Sequence, residues 1–382
     1  MASVAHTQQN EVSLWVALHQ TLGLGNAGLC QLLTKFGSPE AIYSASISQL
    51  REVIDEEIAR KINAGINTEA ISATLDWLQK DNAHIVTLAD SDYPQKLLEI
   101  ANPPAILYAL GQLRWLNHPS IAMVGSRSAT PQGEKNAEDF AQSLCEHGLC
   151  VVSGMALGID GAAHRGALKA KNGQASGATI AVVGTGLDIV YPARHRDLAH
   201  KIAERGLILS EFPLGTPSKA QNFPRRNRLI SGLSLGCLVV EANIGSGSLI
   251  TARLAAEQGR EMFAIPGSIH SPVTKGCHHL IKQGAKLVEN TQDILEEINW
   301  QGLKKLPATN SPTGLIEVTE NEVGIAAETN TVLALMGFDA INFETLLARS
   351  GLTTEALSAM LMMLELDSKI TVLQGGQYQR LV

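Results

Sequence analysis

From Ser120 onward the chain repeats one unit: a short uninterrupted apolar run, a turn carrying glycine, and a stretch of helix length. The runs are Ile121 to Val124, Leu149 to Val152, Thr179 to Val183, Leu207 to Leu209, Cys237 to Val240 and Met262 to Ile265. Continuous rather than alternating apolar residues mark strands covered on both faces, and strands that alternate with helices assemble into a parallel sheet. The expected fold class is therefore α/β, an extended Rossmann-like, doubly wound and mainly parallel sheet. Ligands of such sheets bind outside the carboxyl ends of the strands, where this sequence places its glycine-rich segments.

A chain of 382 residues is long for one core, and the flanks of the repeat read differently. Before it, Trp15, Leu18, His19 and Leu22 fall at helical spacing, Gly23-Leu24-Gly25 interrupts them, and Leu29, Leu32, Leu33 and Phe36 resume. Two helices joined by a tight glycine turn are expected there. A turn of that kind can offer backbone N–H groups to a phosphate or serve any small helical bundle. Residues 301–330 hold Pro307, Pro312 and several Thr and Asn, the composition of a flexible linker. Beyond it, a helix at Phe343 to Arg349, a helix opened by Thr353 or Thr354, and a hairpin around Gly375-Gly376 describe a winged helix. The expected organisation is 1–85 helical, 86–300 Rossmann-like, 301–330 linker and 331–382 winged helix.

Charge separates these regions. The chain has 30 Lys+Arg and 37 Asp+Glu, a net of −7, which excludes a uniformly basic coat for nucleic acid. Residues 115–290 nevertheless hold 18 of the basic and 13 of the acidic residues, a surplus of five positive charges, with eight of the 11 histidines. The middle of the chain is suited to an anion. The five widely spaced cysteines suggest neither a disulfide framework nor a zinc site. The uncharged run Val12 to Thr34 is broken by His19, Gln20, Asn26, Gln31 and three glycines, so no signal or spanning segment is expected and the protein is read as cytoplasmic.

Four segments carry the chemistry. Gly125-Ser126-Arg127 follows a strand and precedes a helix: backbone N–H groups and the helix dipole favour phosphate, and Arg127 can hold it bidentately. Ser153-Gly154-Met155-Ala156-Leu157-Gly158-Ile159-Asp160 follows the next strand, with Asp160 read as a helix cap rather than a catalytic acid. In Asn222-Phe223-Pro224-Arg225-Arg226-Asn227-Arg228, arginines can hold successive phosphates while Phe223 stacks a base. Glu241-Ala242-Asn243 closes a strand, and Gly245-Ser246-Gly247-Ser248 leads into a helix, a further anion seat. No dinucleotide fingerprint or Walker lysine motif is complete. Cys277-His278-His279 suggests no metal, because adjacent residues on a helix diverge.

Taken in order, GSR at 125–127, SGMALGID at 153–160, NFPRRNRLISGLS at 222–234, VVEANIGSGSLITA at 239–252 and AIPGSIHSPVTKGCHHLIKQGA at 264–285 closely resemble the DNA-processing protein A family, DprA, also called Smf, of bacterial natural transformation. The flanks fit that family's layout of a SAM-like or helix-hairpin-helix domain and a winged helix by pattern. The resemblance implies a non-catalytic recombination mediator. Such a protein binds and protects incoming single-stranded DNA and helps load the RecA recombinase, as a homodimer formed through the Rossmann-like domain and with no cofactor. It further implies that Gly125, Ser126 and Arg127 seat a phosphate and that Phe223, Arg225, Asn227 and Arg228 continue the binding groove; from the residue reading above, Ser153, Gly154, Ser246, Gly247 and Ser248 are expected to join the same DNA-binding set. Some family members place a lysine three residues before the motif phenylalanine. Here that position is Ala220, and Lys219, one residue further back, is the candidate for the role.

Two other expectations compete or follow. Glu241 beside glycine loops could serve a nucleotide hydrolase cleaving a glycosidic bond, although no nucleophile–base pair or metal-ligand spacing accompanies it. The winged helix, with three basic and five acidic residues over 331–382 and none basic in Thr354 to Leu366, is expected to avoid duplex DNA. A protein contact through Met360, Met362 and Met363 or the wing is expected instead, with a place in the domain's core the alternative for the methionines.

Overall fold

A computed structural model describes residues 2–171, 179–300, 331–338, 340–373 and 375–381. The expected linker at 301–330 lies outside the described residues. The first helical layer contains α1 (Ala2–Gln20), α2 (Gly25–Phe36), α3 (Pro39–Ser44), α4 (Ile47–Leu50), α5 (Glu56–Asn63) and α6 (Thr68–Trp77). The glycine turn joins α1 to α2 as expected, with Gly23 and Gly25 at φ of 95° and 63°. Leu24 of the turn is buried, while Gly23 and Gly25 are exposed. Asn26 donates to Pro103 O at 2.8 Å and accepts from Ala105 N at 2.8 Å, so the turn docks the helices onto the sheet.

All six apolar runs form strands of one nine-stranded sheet. Its members are β1 (Ala83–Thr87), β2 (Ile106–Gly111), β3 (Ser120–Val124), β4 (Cys150–Ser153), β5 (Thr179–Val182), β6 (Leu207–Ser210), β7 (Gly236–Val239), β8 (Glu261–Ala264) and β9 (Lys286–Leu287). The order is β1-β2-β6-β5-β4-β3-β7-β8-β9. β6 through β9 run parallel, while β2 joins β6 antiparallel and β1 joins β2 antiparallel. β1 spans the boundary expected at residue 85. The helices between the parallel strands are α7 (Pro131–Glu146), α8 (Ile159–Lys169), α9 (Arg196–Arg205), α10 (Asn222–Gly232), α11 (Ser248–Glu257) and α12 (Lys275–Lys282), and α13 (Thr291–Glu297) follows β9. One apolar core lies on each face of the sheet, and a third joins the N-terminal helices to β1 and β2 through Tyr108, Ile106 and Trp77.

The C-terminal part is a winged helix. Helices Phe343–Ser350 and Thr354–Leu366 pack on a three-stranded sheet of Ile341–Asn342, Ile370–Leu373 and Gln377–Arg380. Thr353 caps the second helix by accepting from Ala356 N. Of the three methionines expected at the surface, Met360 belongs to the core because it falls on the Leu357, Leu361 and Leu364 face. Met362 and Met363 are exposed.

Candidate nucleic-acid interface

β3 sits at the switch point of the sheet. From it the chain winds one way through β4, β5 and β6 and the other way through β7, β8 and β9, so the loops after β3 and β7 part. A groove of about 980 Å³ opens between them. Gly125, Ser126 and Arg127 line one wall, and Gly245, Ser246, Gly247 and Ser248 at the start of α11 line the other. Phe223, Arg226 and Asn227 of α10 contribute a third side. Only glycine fits at 125, where a Cβ would stand 2.5 Å from Ile159 Cγ1 and 2.9 Å from Glu241 O. Ser126 N donates to Glu241 O at 2.7 Å, tying the two loops together across the switch point.

A cationic and aromatic ledge rims the groove. The Arg127 guanidinium lies 5.6 Å from the Phe223 ring centre, and Tyr191, 50% exposed, lies 5.8 Å from the same ring at 44°. Beside the ledge is an apolar pocket of about 210 Å³, walled by Met155, Leu157, Val183 and Pro192 and bounded by Arg127, Tyr191 and Phe223. Rings beside a guanidinium suit a planar base with its phosphate. On the opposite wall, Ser246 Oγ and Ser248 Oγ are 2.7 Å apart at the start of α11, where the Leu249 and Ile250 N–H groups already donate to Ser246 O and Gly247 O.

Beneath the ledge the polar groups are buried and face one another. Arg226 donates to Val182 O and lies against Asp160 under Gly154, where a Cβ would come within 2.2 Å of Arg226 Nη1 and 2.4 Å of Asp160 Oδ2. Burial lowers the Arg226 guanidinium to about 10 and raises Asp160, while their mutual attraction opposes both shifts. Asp160 accepts from Ala156 N at 3.3 Å. It stands inside the first turn of α8, and the capping position belongs to Gly158, with φ of 72°. His164 bonds Gly154 O through Nε2 and lies 2.7 Å from Thr179 Oγ1 through Nδ1, a neutral ring that burial holds at about 4.

The structure brings together Gly125, Ser126, Arg127, Phe223, Asn227, Ser246, Gly247 and Ser248 on the groove. Other expected members stand elsewhere. Ser153 is fully buried and donates to Met123 O at 2.6 Å, and Gly154 is the thin spot that admits Arg226 behind the wall. Arg228 is ion-paired to Glu211, and Arg225 stacks over Phe212 at 5.3 Å, both on the far side of α10. Lys219 is exposed on the loop before α10, next to the groove-lining Ser218 and Ala220. Glu241 accepts from Thr130 N at 2.9 Å and Thr130 Oγ1 at 2.5 Å, holding the start of α7. One residue of the ledge, Tyr191, was not singled out from the sequence. Tyr191 lies in the long connection after β5, five residues beyond Gly186, where it stands among Ile189, Val190 and Pro192 rather than in the glycine turn itself.

Among the described residues no cluster of three His, Cys, Asp or Glu side chains is placed to hold a metal, and no helix is long and apolar enough to cross a membrane. His278 contacts Gly267 O, and the Cys277 thiol is buried against Val239 and Val240 carbonyls.

Fold and site together define a Rossmann-like α/β protein with a groove at the switch point, rimmed by an arginine and two aromatic rings, and an appended winged helix. The chain belongs to the DNA recombination-mediator protein A family, whose model matches residues 84–299, and the DprA winged helix domain matches residues 317–376. Protein Smf of Escherichia coli K12 is 41% identical over 314 residues, 82% of this chain and 81% of the relative. DNA processing protein DprA of Streptococcus pneumoniae R6 is 45% identical over 233 residues, 59% and 80% respectively. Among solved structures, DNA processing protein A of Streptococcus pneumoniae superposes with a TM-score of 0.65 at 37% identity, over 75% of this chain and 97% of that one. DNA processing protein A of Helicobacter pylori, solved for its single-stranded DNA binding mode, gives 0.51 at 29%, over 58% and 98%.

Proposed function

We propose that this protein binds single-stranded DNA along the switch-point groove, shields DNA entering the cell, and helps load the RecA recombinase, acting as a cytoplasmic homodimer without catalytic activity of its own. The observation that carries the binding step is the ledge of Arg127, Phe223 and Tyr191 above glycine loops and the α11 N-terminus. Rings accept an unstacked base while the guanidinium and the serine hydroxyls can donate to phosphate, a pairing that a stacked duplex cannot satisfy. The Helicobacter pylori relative, with its single-stranded DNA binding mode, supports the reading. RecA loading and dimerisation rest on family membership. The hydrolase reading is weakened by Glu241, whose two carboxylate oxygens are both held by Thr130 and point away from the groove lining.

Fluorescence anisotropy of a labelled oligothymidine tests the binding step. Wild type is expected to bind with steep salt weakening and poor competition by duplex, and Arg127→Ala to lose roughly tenfold in affinity with a shallower salt slope, about 0.7 per lost phosphate contact. Displacement of the strand by a mononucleotide, with turnover abolished in Glu241→Gln, would instead establish the hydrolase.

A further inference from the structure

Helix α10 has two working faces. At about 100° per residue, Phe223, Arg226, Asn227 and Ile230 share the face that lines the groove. Arg225, Arg228 and Gly232 share the reverse. There Arg228 donates to Glu211 Oε2, just beyond β6, with the Glu211 side chain 3% exposed and that of Arg228 15%. Burial raises the Glu211 carboxyl, and Arg228 and Arg225 oppose the rise. At the other end of this face Gly232 packs against Leu97 and Ile100, and its carbonyl accepts from Arg260 at 3.1 Å. Each partner of a buried ion pair would be stranded without the other, so such a pair fixes geometry more strongly than it adds stability.

We infer that Glu211 and Arg228 are positioning residues for strand binding: their buried pair sets the rotation of α10, and with it the placement of Phe223 and Asn227, while neither touches the DNA. The inference rests on the single-strand reading above. It reverses the use that three arginines in four residues suggest, because Arg225 and Arg228 face away from the groove and Arg226 lies under Gly154. Electrostatics gives the two uses opposite signs. If Arg228 gripped a phosphate, neutralising Glu211 would release it and remove a repulsive charge, and binding would tighten. If the pair holds α10, the same change weakens binding.

The test uses the full chain and labelled oligothymidine across a salt series, with Glu211→Gln, Arg228→Gln, the double variant and Glu211→Asp. Glu211→Gln is expected to weaken binding roughly tenfold, at the wild-type salt slope. Arg228→Gln should match it, and the double variant should be no weaker than the worse single one. Equal or tighter binding by Glu211→Gln overturns the inference, and so does a slope lowered by about 0.7 in Arg228→Gln, the mark of one lost phosphate contact. Glu211→Asp keeps the charge and is expected within threefold of wild type; a loss as large as that of Glu211→Gln, with an unchanged melting curve, also overturns it. Should Glu211→Gln not fold, the salt slope of the double variant carries the same comparison: unchanged if the pair holds α10, lowered by about 0.7 if Arg228 grips a phosphate. Failure of the wild type to bind the oligonucleotide defeats the single-strand reading itself, and the inference falls with it.

Discussion

His164 shows how single residues under the groove wall set the conditions in which it stands. Its ring is neutral when folded, held at about 4 against an ordinary 6.5, with burial the main cause. Below pH 6.5 the unfolded chain takes up a proton that the folded ring refuses until about pH 4, so stability falls as pH falls through that window, by about 3 kcal/mol for this group. His19, also lowered to about 4 by burial, adds to the same limb. Asp160, Glu211 and Glu241 are raised by burial and act oppositely, contributing stability at low pH that is lost as each ionises. Replacing His164 with Gln, which keeps a donor for Gly154 O without titrating, is expected to flatten the acid limb. Urea midpoints measured from pH 7 to pH 4 check this, and an unchanged limb would contradict it.

At the scale of elements, the tightest junction is between α7 and α8. A Cβ on Gly166 would stand 2.1 Å from the Glu138 carbonyl oxygen, and the helices are laced by Arg165 to Glu134 and Glu138 at 2.8 Å each. Backbone cannot yield as a flexible side chain would, so Gly166→Ala is expected to cost about 1–3 kcal/mol. A urea titration reads that loss directly. Elements also differ in how plainly the sequence announces them. Six strands were legible because burial on both faces makes them continuously apolar. The run Ile106 to Gly111 is equally apolar, yet it leads into a short 3₁₀ turn and pairs antiparallel, so the strand, glycine and helix signature never flags it. β9 has two residues and no pattern to read. For the site, glycines and hydroxyls at strand ends were legible because close approach demands them. The facing of α10 was not, since Glu211, which draws Arg228 to the far side, lies outside the helix, in the connection just after β6.

The whole molecule separates into a large body and a small one with its own core. The N-terminal helices share a core with β1 and β2, and the winged helix buries Leu346, Leu357, Leu361 and Leu364 among its own residues. Within the N-terminal layer Asn26, just after the glycine turn, ties α2 to the sheet through contacts that sequence spacing cannot reveal. A chain ending at residue 300 should therefore keep the groove intact. Its affinity for oligothymidine is expected within threefold of the full chain, and a tenfold loss would assign the winged helix a direct part in binding. The order of the strands has one further effect, on the newborn chain. β3 is flanked by β4, made soon after it, and by β7, where Ile121 meets Gly236 only after every strand from β4 to β6 has been made. While the ribosome is still working through that interval, one side of the central strand is an open edge able to pair with a stranger. The groove comes into being late and all at once, when β7 and the start of α11 emerge to close it.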